Sequence, residues 1–131
     1  MTNNNTTWII DDDPIQIFVA TRNLQKIKFS QNIHSVNNAK NALEELKNFT
    51  SAKDKNFPDL IFLDINMPQM DGWQFLEEFD KFSWKKKVAV YLLTSSIDPN
   101  DSIRAKSFKS IQGLLLKPVN QEDLLKISRE L

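Results

Sequence analysis

The chain has 131 residues, of which 40% are hydrophobic, so it is long enough to bury the core of one ordinary domain. Its 17 basic and 17 acidic side chains give a formal net charge of zero, which argues against a nucleic-acid or membrane-surface binder held by charge alone. The absence of cysteine excludes disulfides and thiol chemistry, and a single histidine argues against histidine-rich metal sites. With no membrane-length apolar run and no visible secretory signal, we expect a cytoplasmic protein.

The first predicted elements follow a short polar segment. Residues 1–7 are mostly Asn and Thr and are predicted to form a disordered tail, which leaves residues 8–131 for one domain. Residues 8–10 are an apolar run that predicts a buried strand. Asp13 and Pro14 then provide an N-cap and a first helical residue, and the apolar residues that follow recur at helical spacing.

The same alternation of apolar run and helical period continues to the end of the chain. Unbroken apolar strands, as opposed to alternating ones, predict a parallel sheet covered by helices on both faces. In such a sheet the ligand crevice lies at the carboxyl ends of the strands. The further strands are predicted at 33–36, 60–63, 88–93 and 111–116, and the further helices begin near Ala39, Gly72, Pro99 and Asn120.

Polar side chains follow four of the five predicted strands. Clustered carboxylates are the oxygen ligands that Mg²⁺ prefers, and an ammonium and a hydroxyl group can bind phosphoryl oxygens. A carboxylate facing that phosphoryl group can accept it as an acyl phosphate. The first strand is followed by Asp11, Asp12 and Asp13, the third by Asp64, the fourth by Thr94, Ser95 and Ser96, and the fifth by Lys117 and Pro118.

Three segments, 8–14, 59–72 and 115–118, with Thr94 between the last two, resemble the receiver domain of two-component response regulators. The resemblance covers nearly the whole chain. It implies a doubly wound, five-stranded parallel α/β fold of the flavodoxin-like type, with strand order 2-1-3-4-5 and five helices. It also implies a regulatory phosphoacceptor, not an enzyme acting on a separate substrate, which catalyses only its own phosphorylation and dephosphorylation.

The resemblance assigns roles to the metal-binding side of the crevice. Asp64 is the expected phosphoacceptor. Asp11 and Asp12 are the expected acidic pair that binds Mg²⁺, with Asp12 the more direct ligand, and Asn66 would contribute its backbone carbonyl. A shift of register, with Asp12 and Asp13 as the working pair, remains an alternative, although Asp13 before proline is better explained as a helix cap.

The resemblance also assigns the phosphoryl-binding side. Thr94 would bond a phosphoryl oxygen, Lys117 would ion-pair with another, and Ser95 is small enough to let the phosphodonor enter. The Lys117–Pro118 peptide is expected to be cis. Leu114 departs from the family pattern, because many receivers carry Tyr or Phe three residues before the lysine, and this puts the usual aromatic switch in doubt.

The expected function is that of a stand-alone receiver. A histidine kinase or histidine phosphotransfer protein would donate the phosphoryl group, and a downstream protein partner would receive the signal, with no direct nucleic-acid contact and no membrane insertion. An excised domain is a further possibility. Two other functions stay open: a degenerate receiver that serves only as an interaction module, and an aspartate-dependent phosphohydrolase.

Several other conspicuous residues have structural interpretations. His34 is expected to be an ordinary strand residue, and Asp71 a turn former with Gly72. Both glycines, Gly72 and Gly113, are expected where the backbone needs conformational freedom. Residues 85–87, all lysine, are predicted to be a solvated connection, and Trp73 and Trp84 to be partly exposed with no assigned role.

Overall fold

The computed structural model of the chain describes residues 5–82 and 86–130. These residues form strands and helices in strict alternation. The strands are β1 (Thr6–Ile10), β2 (Asn32–Val36), β3 (Leu60–Asp64), β4 (Ala89–Thr94) and β5 (Ile111–Leu116). The helices are α1 (Pro14–Lys26), α2 (Ala39–Lys47), α3 (Gly72–Phe79), α4 (Pro99–Ala105) and α5 (Gln121–Glu130).

The five strands of this described region form one parallel sheet in the order β2-β1-β3-β4-β5. The predicted doubly wound α/β fold is therefore confirmed. Successive residues of β3 face opposite sides of the sheet: Ile61 and Leu63 join one core, and Leu60 and Phe62 join the other. Because both faces are covered, the central strand is apolar at each position before its final Asp64.

The helices begin at caps that the sequence marks locally. The Asp13 carboxylate accepts the Ile15 N–H at 2.9 Å, as predicted for the start of α1. Asp98 caps α4 in the same way, and the Asn120 side chain accepts the Asp123 N–H at 2.8 Å at the start of α5. These bonds satisfy amide groups that have no partner inside the helix, and they fix where each helix leaves its strand.

The predicted tail boundary at residue 7 is wrong. Thr6 and Thr7 are buried residues of β1, and Thr7 pairs with Leu60 in β3. The Asp59 carboxylate accepts the backbone N–H groups of Asn5 and Thr6 at 2.9 Å, so the strand is held from its first residue. Polar composition misled the prediction because these partners lie far along the chain. Residues 1–4 lie outside the described region.

Two further expectations need correction. Trp73 is buried, with 4% of its surface exposed, because its ring packs from α3 against Phe108 in the segment after α4. Trp84 and Lys85 lie outside the described residues. Neither Gly72 nor Gly113 has a positive φ, so a need for backbone freedom does not explain why glycine stands at these positions.

None of the described helices is long and apolar enough to cross a lipid bilayer.

Candidate functional site

Strand register brings the four polar strand ends together at one edge of the sheet. Asp64 is the last residue of β3 and pairs with Leu93, the residue before Thr94. Thr94 in turn pairs with Leu116 in β5, and the Lys117 N–H donates to the Thr94 carbonyl at 2.9 Å. The side chains that the sequence singled out therefore occupy adjacent strands of one crevice.

Lys117 joins two buried carboxylates. Its Nζ lies 3.1 Å from Asp11 Oδ2 and 3.1 Å from Asp64 Oδ1. Asp11 is fully buried and Asp64 is 2% exposed, whereas the lysine side chain is 12% exposed. Because little water screens these charges, the ammonium group is strongly attracted to both carboxylates and holds β5 against β1 and β3 at this edge.

The site carries more negative charge than its lysine can balance. Carboxylate oxygens of Asp11, Asp12 and Asp64 lie within 4.8 Å of one another. With all three ionised, three negative charges and the one positive charge of Lys117 leave a net charge of −2. Asp11 Oδ2 lies at ion-pair distance from Lys117, but no donor in the described residues is aligned to hydrogen-bond it. This donor set fits a hard divalent cation such as Mg²⁺.

The protonation equilibrium of Asp64 reflects both its burial and the negative charge of Asp11. Burial of its carboxylate, reinforced by repulsion from Asp11, raises the pKa of Asp64 to about 7. The hydrogen bond and charge of Lys117 and the Asn66 N–H oppose this rise without overcoming it. Burial also lowers the pKa of Lys117, but the close contacts and negative charges of the two carboxylates outweigh burial and raise it overall, so the lysine remains charged.

Backbone amides orient the two buried carboxylates. The Asn66 N–H donates to Asp64 Oδ1 at 3.1 Å, and the Asp13 N–H donates to Asp11 Oδ1 at 2.9 Å. The Asp13 side chain itself caps α1 and is not part of the acidic cluster, which consists of Asp11, Asp12 and Asp64. This geometry favours the predicted pair of Asp11 and Asp12 over the shifted register.

The hydroxyl at the end of β4 is already engaged. Thr94 is buried, and its Oγ1 donates to the Ser96 carbonyl at 2.9 Å and accepts the Ser96 N–H at 3.2 Å. Ser95, between them, is exposed. The Lys117–Pro118 peptide is cis, as expected from the resemblance.

Gly72 is a site residue that the sequence reasoning did not assign. A Cβ at this position would lie 2.8 Å from the Asp64 carbonyl oxygen and 3.0 Å from the Ile65 Cα. The Gly72 N–H also donates to the Ile65 carbonyl at 2.8 Å. Glycine is therefore required for close approach, because α3 begins directly against the backbone that carries the phosphoacceptor candidate.

Two other residues, His34 and Asp71, have structural roles that agree or nearly agree with the predicted ones. His34 lies in β2, where its Nε2 is 2.8 Å from Glu45 Oε1 of α2. Asp71, predicted as a turn former, is the N-cap of α3 and exchanges reciprocal hydrogen bonds with Gln74. Asp71 therefore supports the entry into α3 and lies outside the acidic cluster.

The parallel sheet and the crevice with its carboxylates and lysine resemble those of a receiver domain, and comparison with known families identifies the same class of protein. A family model described as the response regulator receiver domain matches residues 7–129. The chain belongs to this family, whose members are regulatory domains of two-component systems.

Particular relatives extend the match over most of the chain. The protein PilH of Pseudomonas aeruginosa is 28% identical over 118 residues, which cover 90% of this chain and 89% of that protein. The nitrate/nitrite response regulator protein NarL of Escherichia coli is 31% identical over 121 residues, or 92% of this chain, but these are only 51% of NarL.

Solved structures show the same architecture. A two-component response regulator from Cytophaga hutchinsonii superimposes with a TM-score of 0.82 at 27% identity, covering 98% of each chain. The chemotaxis protein CheY4 of Vibrio cholerae superimposes with a TM-score of 0.75 at 25% identity, covering 96% of this chain and 97% of CheY4.

Gly72→Ala should damage the site through its backbone. The added methyl group has to displace the Asp64 carbonyl or the start of α3, so we expect a loss of about 1–3 kcal/mol in the free energy of unfolding and slower phosphorylation by acetyl phosphate. Gly113→Ala is the matched control, because its Cβ would make ordinary 3.5 Å contacts with the Tyr91 ring. Urea unfolding and intact-protein mass spectrometry measure both effects, and equal behaviour of the two variants would contradict the assignment.

Proposed function

We propose that the protein is a phosphoacceptor whose Asp64 receives a phosphoryl group from a phosphohistidine donor. The observation that carries this proposal is the ion pair between Lys117 and two buried carboxylates at the carboxyl end of a parallel sheet. Of these two carboxylates, Asp64 ends the central strand β3, and the exposed Asp12 and Ser95 lie beside it on the neighbouring strand ends.

The chemistry requires an ionised Asp64. A carboxylate oxygen attacks phosphorus, the phosphorus–nitrogen bond of phosphohistidine breaks, and the imidazole leaves with its electron pair and takes up a proton. The product is an acyl phosphate on Asp64. Because burial and Asp11 raise the pKa of Asp64 to about 7, the positive charge of Lys117 helps to keep the nucleophile ionised.

The acidic cluster is proposed to hold Mg²⁺. Asp11, Asp12 and Asp64 would supply carboxylate oxygens, and Asn66 its backbone carbonyl. When bound, the cation offsets the excess negative charge and draws electron density from phosphoryl oxygens. Asp11 and Asp64 are held in place before the metal binds, because a backbone amide donates to each of them.

The phosphoryl group on Asp64 would be surrounded by Thr94, Ser95 and Lys117. The ammonium of Lys117 can pair with one phosphoryl oxygen, and the Thr94 hydroxyl can donate to another once it leaves the Ser96 carbonyl. The small, exposed Ser95 leaves the entry path open. These assignments require that arrival of the group rearranges the loop after β4.

An exposed apolar rim supports a protein as phosphodonor. Ile15 and Phe18, 70% and 61% exposed, are three residues apart in the first turns of α1, directly after the acidic pair. Leu116, 49% exposed, precedes Lys117. A histidine that reaches Asp64 must bring its own protein surface against this rim, so an apolar helix face on the donor would bury these side chains.

We further propose that the signal passes to a downstream protein partner and that the protein acts in the cytoplasm, where phosphohistidine donors and magnesium are available. A degenerate receiver is disfavoured because the acidic pair, the acceptor and the lysine are all present. A phosphohydrolase with an aspartyl phosphate usually has a second Asp two residues after the nucleophile, and Asn66 stands there.

Asp64→Asn should abolish phosphorylation. Incubation of the wild-type protein with acetyl phosphate and Mg²⁺ should add the mass of one phosphoryl group, whereas the variant should show no gain because an amide cannot form the acyl phosphate. Asp54→Asn, in the exposed loop after α2, is the control and should be phosphorylated normally. Retained phosphorylation of Asp64→Asn would place the acceptor elsewhere, and turnover of many acetyl phosphate molecules would favour the hydrolase.

Magnesium should stabilise the protein in a pH-dependent way. Because the pKa of Asp64 is raised from 3.8 to about 7 on folding, its contribution to stability is present at acidic pH and lost as pH rises through that interval. In EDTA, ionisation of Asp64 should therefore lower the Tm as pH rises toward neutral. The increase in Tm that Mg²⁺ produces should grow as pH rises through about 7, because Asp64 then loses the proton that competes with the metal.

The matched pair for this experiment is Asp12→Asn and Asp13→Asn. Both remove one charge, and asparagine can still cap α1 at position 13. We expect only Asp12→Asn to lose most of the magnesium response. An equal loss in Asp13→Asn would restore the shifted register in which Asp12 and Asp13 form the working pair.

The apolar rim can be tested by separating protein donors from small donors. Ile15→Ser combined with Phe18→Ser should slow phosphotransfer at least tenfold from any phosphorylated histidine kinase or phosphotransfer protein that phosphorylates the wild type, because two exposed apolar contacts are lost. Phosphorylation by acetyl phosphate should be unchanged. Leu125→Ser, at an exposed position of α5, is the control. Equal effects of Ile15→Ser with Phe18→Ser on both kinds of donor would refute the proposed rim.

A further inference from the structure

Three side chains from α3, α4 and the turn after α4 form a stack. The Trp73 and Phe108 rings lie 5.9 Å apart at an interplanar angle of 29°, and the Arg104 guanidinium carbon lies 4.7 Å from the Trp73 ring centroid. Trp73 is buried, whereas Arg104 is exposed. In the part of the chain that the structure describes, Arg104 takes part in no ion pair, so the indole ring is its principal partner.

Trp73, the buried member of this stack, lies next in sequence to a residue that contacts the backbone of the proposed phosphoacceptor. Trp73 directly follows Gly72, whose N–H donates to the Ile65 carbonyl at 2.8 Å and where a Cβ would lie 2.8 Å from the Asp64 carbonyl oxygen. The start of α3, which carries the indole, is therefore tied to the backbone beside Asp64. Arg104, in contrast, belongs to α4, and Phe108 follows that helix in the chain.

Helix α4 has few other attachments. It spans only seven residues, Pro99–Ala105, and Ala105 is its buried residue. The loop that precedes it, residues 95–98, is exposed throughout. An element with so little buried apolar surface is a candidate for movement at low free-energy cost. The contact between Arg104 and Trp73 adds to what holds its C-terminal end, where Ala105 and Phe108 also pack against the core.

In the proposed function, phosphorylation acts on the other end of α4. The Thr94 hydroxyl has one hydrogen, which it now donates to the Ser96 carbonyl at 2.9 Å. It cannot donate that hydrogen to a phosphoryl oxygen on Asp64 at the same time. Ser96 lies two residues before Asp98, the N-cap of α4, so loss of this bond frees the chain where α4 begins.

We propose that Arg104, Trp73 and Phe108 act as a latch that holds α4 in its resting position and opposes the change that phosphorylation produces. This inference rests on the proposed function of Asp64 and Thr94. Arg104 is a positioning residue, because it acts on the site through α4 and the loop after β4.

The latch predicts that weakening the stack favours the phosphorylated conformation. A ligand that binds only the active state binds more tightly when the resting state is destabilised. Arg104→Ala should therefore bind the phosphoryl mimic beryllofluoride, in the presence of Mg²⁺, about two- to fivefold more tightly than the wild type, which is the ratio expected for loss of one exposed cation–π contact. Arg104→Lys should fall between the two.

Two controls separate a latch from a general effect of charge or stability. Arg129→Ala, in the exposed last turn of α5, removes the same charge and should leave beryllofluoride affinity unchanged. In protein labelled with 5-fluorotryptophan, the Trp73 resonance, assigned from Trp73→Phe, should shift on beryllofluoride binding in the wild type. In Arg104→Ala the same resonance should shift before beryllofluoride is added, toward its bound position.

The outcomes are distinguishable. Wild-type protein that binds beryllofluoride, together with an Arg104→Ala affinity equal to the wild type or weaker, would overturn the latch and leave the proposed function intact. Tighter binding in Arg129→Ala as well would attribute the effect to net charge and overturn the latch too. If the wild type binds no beryllofluoride, the proposed function of Asp64 fails, and the latch fails with it.

Discussion

The ion pair of one lysine with two buried carboxylates is the interaction on which the functional site depends. Lys117 reaches Asp11 and Asp64 at 3.1 Å each, and thereby links the ends of β1, β3 and β5. Removing Lys117 would leave two buried carboxylates without their cation, which is costly in an environment that excludes water. The crevice is therefore an electrostatic unit whose parts come from distant segments of the chain.

This unit is held in place by the sheet and remains short of positive charge. Apolar cores on both faces fix the strands, and backbone amides of Asp13 and Asn66 orient the two buried carboxylates. One ammonium group cannot neutralise three clustered carboxylates, and burial of Asp64, reinforced by repulsion from Asp11, raises its pKa. A divalent cation would relieve this excess of negative charge, so the packing that stabilises the fold also builds the site proposed to bind Mg²⁺ and a phosphoryl group.

The two sides of the crevice differ in how firmly they are built. On the side of β3, Gly72 lets α3 start against the Asp64 backbone, which leaves no room for adjustment. On the side of β4, the loop after Thr94 is exposed and α4 is short, with Ala105 as its buried residue. A change at Asp64 is thus transmitted toward the weakly held side, where the stack of Arg104 on Trp73 sets the resistance to movement.

The sequence by itself determined the elements and most of the candidate site, because these depend on local signals. The apolar run before Asp64 defined the central strand, the Asp–Pro pairs marked helix starts, and their positions at strand ends brought Asp11 and Lys117 into one crevice. What only the tertiary structure decided depends on partners far apart in the chain. Thr6 became a buried strand residue because Asp59, 53 positions later, accepts its N–H, and Trp73 became buried because Phe108 and Arg104 cover it. No local pattern encodes such pairs, since their energies arise only after the chain has folded.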